Sequence, residues 1–291
     1  MADPAFDRTT EDLGNIVNLG HVNVTVPDQG VATAYYITGL GLTRDPYLMT
    51  GTNNMWANAG MSQFHLPTKE PQVIQGIIGL VVPDTEPLLA RLKAVSEDLK
   101  DTQFDFKETN EAVETTCPWG NAIHCHGPDE ARFGRMKLGM AYIEFDVPVD
   151  AAAGIDRFYR EVFGAASAIT EHKGAPTARV QAGERQYLYF RETEEPRVPY
   201  DGNHIQVYIN DFSGPYDRLL ERGLITQESN QHQFRFIDIV DPDSGDVVYI
   251  MDHEVRSMGH PMYGRPLINR NPAINLRAYD PGREGVHWTS G

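Results

Sequence analysis

The residues best equipped for chemistry are the histidines, and the first of them lies in a strict alternation. In Gly20-His21-Val22-Asn23-Val24-Thr25-Val26-Pro27-Asp28 the three valines share one face of a strand. His21, Asn23 and Thr25 share the other. An all-valine face packs under a helix, and a helical segment follows from about Gln29 to Ile37. The polar face then lines a wet concave cup. There an imidazole can ligate a transition metal, and the amides of Asn23 and Gln63 can orient a bound oxygen or water. His253-Glu254 is another pair of chemically capable residues, but neighbours on a strand point to opposite sides. Cys117 and Cys125 flank a turn at Pro118-Trp119-Gly120 and read as two free, buried thiols.

The elements that position these residues repeat. The opening phrase recurs at Gly76–Asp84, Ala141–Pro148 and His204–Asp211, which puts His21, Ile77, Tyr142 and His204 in one equivalent position. The spacing is about 56 to 65 residues, as expected of a duplicated supersecondary unit. After each strand comes a helix. Leu88, Leu89, Leu92 and Val95 form an apolar stripe in the second, with Asp84 as its cap. Ile155, Phe158, Tyr159, Val162 and Phe163 form one in the third, stopped by Gly164. Three further strands complete each unit. This reading divides the chain into an arm over 1–16, an N-terminal two-unit domain over 17–130, a C-terminal two-unit domain over 137–256, and a tail over 257–291.

Charge excludes some partners. The chain has 291 residues, 41 acidic against 25 basic, for a net charge of −16. Such a surface repels nucleic acid and anionic membranes. No apolar run is long enough to span a bilayer, and Met1–Thr10 lacks a signal-peptide pattern, so a cytoplasmic location is expected.

The fourfold unit resembles the vicinal oxygen chelate superfamily of glyoxalases, bleomycin-resistance proteins and extradiol dioxygenases. The resemblance covers about residues 17–256. It rests also on Tyr35-Tyr36-Ile37-Thr38-Gly39-Leu40-Gly41-Leu42, on Phe158-Tyr159-Arg160-Glu161-Val162-Phe163-Gly164 and on Asp241-Pro242-Asp243-Ser244-Gly245. It implies an α+β fold in which four βαβββ units form two pseudo-symmetric domains, each an open curved mixed sheet around a cup. In that family metal ligands come from the first and last strands of each unit. Carried onto the N-terminal domain, these positions are His21, His65, Ile77 and His124, so that His21, His65 and His124 are the expected metal ligands and the cup is N-terminal. His126 shares the face of His124, as an outer partner or as the ligand under a two-residue slip. The C-terminal domain, with His204 in its cup, is then a degenerate copy, the alternative being a second metal held by His204 and Glu144.

The resemblance further implies a small-molecule substrate that chelates a divalent transition metal through two oxygens. Iron(II) is favoured over zinc, manganese, nickel or cobalt, and the expected reaction is that of a non-haem dioxygenase. The alternatives are a glyoxalase-type isomerase, lyase or epimerase, and a metal-free sequestering protein. Asn23, Gln63 and Tyr263 are the expected catalytic residues. Tyr263, Arg265 or His260 would reach the cup if the tail folds back; otherwise the tail packs at an interface. Homodimers are common for this fold, although two joined domains could also stand alone.

Overall fold

Each repeated phrase folds into a βαβββ unit. The computed structural model describes residues 8–45, 48, 53–195, 198–265 and 267. Unit one comprises β1 (Ile16–Asn23), α1 (Gln29–Ala32), β2 (Thr43–Arg44), β3 (Asn54–Ala59) and β4 (Ser62–Pro67), with α1 running on into a wider π-helical stretch, Thr33–Gly39. Unit two comprises β5 (Gly76–Val81), α2 (Thr85–Leu99), β6 (Asp105–Glu108), β7 (Val113–Thr116) and β8 (Ala122–His126). A short helix, α3 (Glu130–Phe133), leads into unit three: β9 (Gly139–Pro148), α4 (Ala152–Glu161), β10 (Ser167–His172), β11 (Ala175–Gly183) and β12 (Gln186–Thr193). Unit four comprises β13 (His204–Ile209), α5 (Ser213–Glu221), β14 (Ile225–Asn230), β15 (Gln233–Val240) and β16 (Val247–Ser257).

The helices start and pack as their sequences dictate. Asp28 accepts hydrogen bonds from the amides of Gly30 and Val31 at 2.7 and 2.9 Å, and Asp84 accepts one from Glu86 at 3.0 Å. The stripe Leu88, Leu92, Val95, Leu99 is buried along α2, and Ile155, Phe158 and Tyr159 are buried along α4. None of the described helices is long and apolar enough to cross a membrane. Cys117 and Cys125 are buried free thiols, as the sequence suggests.

The described strands form two eight-stranded sheets, ordered β14-β15-β16-β13-β1-β4-β3-β2 and β10-β11-β12-β9-β5-β8-β7-β6. In each unit the first strand runs parallel to the last, and two first strands meet antiparallel at the centre of the sheet. Unit one therefore shares a sheet with unit four, and unit two with unit three. The expected division at about residues 127–138 into 17–130 and 137–256 pairs one with two and three with four, and the sheets do not follow it. The physical reason is that all four first strands offer a similar free edge. The connection through α3 brings β9 beside β5 in one sheet, and that leaves β1 and β13 to pair with each other.

A single buried glutamine joins the two sheets. Gln186, at the start of β12, accepts at Oε1 from the Leu19 amide (3.0 Å) and from Asn18 (3.1 Å). Its Nε2 donates to Ser62 Oγ (3.0 Å) and to the Met140 carbonyl (2.9 Å). One side chain thus satisfies β1, β4 and β9 at once. Gln186→Leu is expected to leave several of these groups unpaired and to destabilise the protein by about 2–4 kcal/mol, measured by urea denaturation.

Candidate metal centre

The seam between β1 and β13 sets the site. His21 lies opposite Gln206, and Asn23 lies opposite His204. On the outer side of β1, His21 is in register with Gln63, and His65 lies two residues further along β4. On the outer side of β13, His204 is in register with Asp252, and Glu254 lies two residues further along β16. The offset is the same in both halves, so an approximate two-fold axis relates His21 to His204 and His65 to Glu254. The pleat sends every second side chain to one face, which places these four on the same side of the sheet.

Coordinating atoms of His21, His65 and His204 lie within 4.8 Å of one another. The His21 ring lies edge-on to those of His65 (5.7 Å between centroids) and His204 (5.6 Å). Trp56 stacks on His65 at 3.8 Å and fixes its plane. His21 Nε2 and His65 Nε2 are buried and have no hydrogen-bond partner among the described residues. Two unpartnered imidazole nitrogens aimed at a common space fit a metal, which would supply the missing bonds. Glu254 Oε2 lies 3.6 Å from His204 Nε2, beside this group of three imidazoles.

Burial keeps the imidazoles neutral. It is the main cause that holds His65 down to about 3 and His204 down to about 2, with the guanidiniums of Arg256 and Arg235 adding to it. His21 is also well below the ordinary histidine range, by burial and then by Arg256. A neutral imidazole carries the free lone pair that coordination needs. The same arginines hold the carboxylate. Arg256 Nη2 forms an ion pair with Glu254 Oε1 at 2.6 Å, and Arg235 bonds both Glu254 and Asp252, the latter at 2.7 Å. Arg235 Nη2 also lies 3.4 Å from His204 Nε2, so an ion held by that nitrogen would compete with the guanidinium for its lone pair.

A cavity of about 600 Å³ adjoins the cluster and is lined by Gln63, Gln206, Tyr208, Arg256 and Tyr263. Gln206 is 1% exposed, and neither the nitrogen nor the oxygen of its side-chain amide has a partner among the described residues. Its side chain lies across Gly20, where a Cβ would come within 1.9 Å of Oε1, so only glycine leaves room for it there. After β16 the chain folds back over this sheet. Tyr263 lies 4.9 Å from Tyr208 between ring centroids, and buried Arg265 pairs with buried Asp45 at 2.7 Å.

Against the sequence-based expectations, His21 and His65 come together and His124 does not join them. His124 is on β8 in the other sheet, opposite Glu114 and Gly79. Ile77 is also in that sheet and leaves no gap here. His204 stands where His124 was expected, and the repeat had already aligned it with His21. Glu254 was set aside as half of an adjacent pair. The pair does split, with Glu254 turned to the cup and His253 buried against Tyr159 at 2.6 Å on the other face. Asn23 lies between His65 and His204 in register. The Gln63 amide nitrogen is already committed to Asp45 (2.7 Å) and Asn58 (2.6 Å), which suits a supporting role better than contact with a ligand. Tyr263 and Arg265 do line the cavity, and the His260 ring lies tilted, 6.4 Å from that of Tyr208. Residues 268–291 of the tail lie outside the described residues.

The neutral histidines make stability depend on pH. His65 and His253 are held at about 3 in the fold and titrate near 6.5 when unfolded. Between those values the unfolded chain binds more protons, so stability is complete above about 6.5 and falls as pH drops toward 3. Chelator-treated protein is expected to melt at a lower temperature at pH 5 than at pH 7.5. Equal melting temperatures would contradict the neutral, buried state of these rings.

No family model matches the sequence, and no curated protein matches it either. Solved structures do resemble it. A Bacillus subtilis protein provisionally named a dioxygenase aligns over 85% of this chain and 87% of its own, at 14% identity and a TM-score of 0.54. Glyoxalase I from Zea mays aligns over 82% of this chain and 92% of its own, at 12% identity and a TM-score of 0.55. At such identities the likeness speaks to architecture, and together with the four units and the paired sheets it shows that this chain has the vicinal oxygen chelate fold.

Proposed function

We propose that this chain is a metal-dependent enzyme whose small organic substrate offers two neighbouring oxygens, and that its reaction is a non-haem iron(II) dioxygenation. The observation that supports this most directly is the meeting of His21, His65 and His204 around one point, with buried nitrogens that lack partners. His21, His204 and Glu254 would supply two imidazoles and a carboxylate, the donor set suited to oxygen-activating iron(II), and His65 would be a fourth donor from the side stacked by Trp56. A bound divalent ion would polarise the substrate oxygens and, as iron(II), exchange electrons with dioxygen.

The other residues shape the substrate's surroundings. The free amide of Gln206 can donate to one substrate oxygen and accept from its hydroxyl. Arg256 offers positive charge to a substrate that ionises on binding. Tyr208 and Tyr263 form the aromatic wall against which a ring can lie, and the returning tail limits entry of water. A second reading, glyoxalase-type isomerisation, draws on His65, because four protein donors are what that branch of the fold family uses.

Metal content of purified variants tests the ligand set. His204→Ala is expected to lose more metal affinity than the roughly 10–100-fold typical of outer-shell changes, and His124→Ala to retain full stoichiometry. Full retention by His204→Ala would defeat the assignment. For the reaction, iron-loaded protein in an oxygen electrode is expected to consume oxygen with catechols or hydroquinones. Gln206→Leu should lower kcat/KM by about 10-fold or more through the lost hydrogen bonds while leaving metal content unchanged. Stoichiometric iron without oxygen uptake, together with solvent deuterium exchange into hydroxyketone substrates, would favour the isomerase reading.

A further inference from the structure

The second sheet holds a cup at the place equivalent to the metal centre. Ile77 is in register with Ala122, and two residues beyond lies His124. Tyr142 is in register with Tyr187, and two residues beyond lies Tyr189. The four donor positions are therefore Ile77, His124, Tyr142 and Tyr189, and the described residues bring no second group of metal-binding side chains together. The cup nevertheless remains open, as a cavity of about 680 Å³, large enough for a one- or two-ring molecule.

Its lining has a definite chemistry. Tyr142, Tyr187 and Tyr189 form a continuous aromatic wall, with Tyr189 centred 5.8 Å from Tyr142 and 5.9 Å from Tyr187. Tyr142 is held in place. His126 Nδ1 is 2.9 Å from the Glu111 carbonyl, which can only accept, so the proton sits on Nδ1 and Nε2 accepts from the Tyr142 hydroxyl at 3.0 Å.

Arg132, Arg179 and Arg185 also line this cavity. Arg132 and Arg179 lie against aromatic rings, 4.9 Å from Phe133 and 5.6 Å from Tyr187. Among the described residues none of the three has a carboxylate within ion-pair distance. Two acids, Glu111 and Glu114, also line the cavity, and the acids near it are paired with other cations or exposed. Glu144 pairs with Lys173 (2.7 Å) and Arg191 (3.0 Å), Glu114 pairs with Lys107 (2.9 Å), and Glu111 is exposed. In a chain of net charge −16, three unpaired guanidiniums around one aromatic cavity form a local anion site that the global charge does not explain.

We propose that this second cup binds a planar aromatic carboxylate, with the ring against the tyrosines and the carboxylate held by the arginines. Guanidinium groups match a carboxylate in shape as well as charge, and tyrosine faces stack on planar rings. The site belongs to the other sheet from the histidine cluster, shares Phe133 and Arg185 with the lining of the first cavity, and does not depend on the reaction performed there.

Calorimetric titration of the chelator-treated full chain tests this, with 2-naphthoate and the uncharged 2-naphthalenemethanol as probes. One equivalent of naphthoate is expected to bind, at least tenfold more tightly than the alcohol. Arg132→Gln/Arg179→Gln, two exposed positions, should weaken naphthoate at least tenfold and leave the alcohol unchanged. His204→Ala should bind naphthoate as the parent does. Absence of binding, equal affinity for acid and alcohol, or undiminished binding by the double variant would overturn the proposal. So would loss of binding in His204→Ala, which would place the ligand in the first cup.

Discussion

The antiparallel seam between β1 and β13 is the constraint on which the rest of this molecule depends. It joins the first unit to the last, across Ile16↔Ile209 at one end and Asn23↔His204 at the other. A slip of one residue would turn His21 or His204 to the helix-covered face and put valine or isoleucine in the cup. The seam is guarded against such a slip by what lies beneath it. Leu19, Val22, Ile205 and Val207 are essentially fully buried, so the register that forms the core is also the register that gathers the donors. Core packing and ligand geometry are a single requirement here.

The repeat was legible in the sequence because each unit announces itself with an alternating strand and a capped amphipathic helix. What could not be read was which units pair. Hydrogen bonding between strand edges is carried by the backbone and has no side-chain signature, and four similar units offer four similar edges. Which histidine joins the cluster therefore depended on topology. His204 was aligned with His21 from the start, yet only the sheet order brings it to the cup in place of His124. Glu254 was hidden for a local reason. Beside His253 it looked like half of a pair, whereas the pleat assigns one residue to the core and the other to the site. The roles of Arg235 and Arg256 left no trace in the sequence, since arginines on alternating strands usually face solvent.

The two cups show how the same scaffold supports different contents. In one sheet the four equivalent positions hold His21, His65, His204 and Glu254. In the other they hold Ile77, His124, Tyr142 and Tyr189. The backbone offsets are unchanged, so the difference lies in side-chain chemistry alone. Where the equivalent positions hold an isoleucine, a histidine and two tyrosines a cavity is still present, and it is lined by three arginines that have no carboxylate partner among the described residues. The protein thus carries a polar, histidine-centred cup and an aromatic, arginine-rimmed cup, and Phe133 and Arg185 line both cavities.

The order of units within the sheets has a consequence in time. Units two and three are neighbours in the chain and nest inside the pairing of one with four, like an inner bracket within an outer one. During synthesis the inner sheet can close as soon as β12 has emerged, while β1 and β4 still lack their partners. Until unit four arrives, the growing chain presents only His21 and His65 of the three-histidine cluster. That cluster is consequently among the last parts of the described structure to form, and its completion marks the closing of the outer sheet.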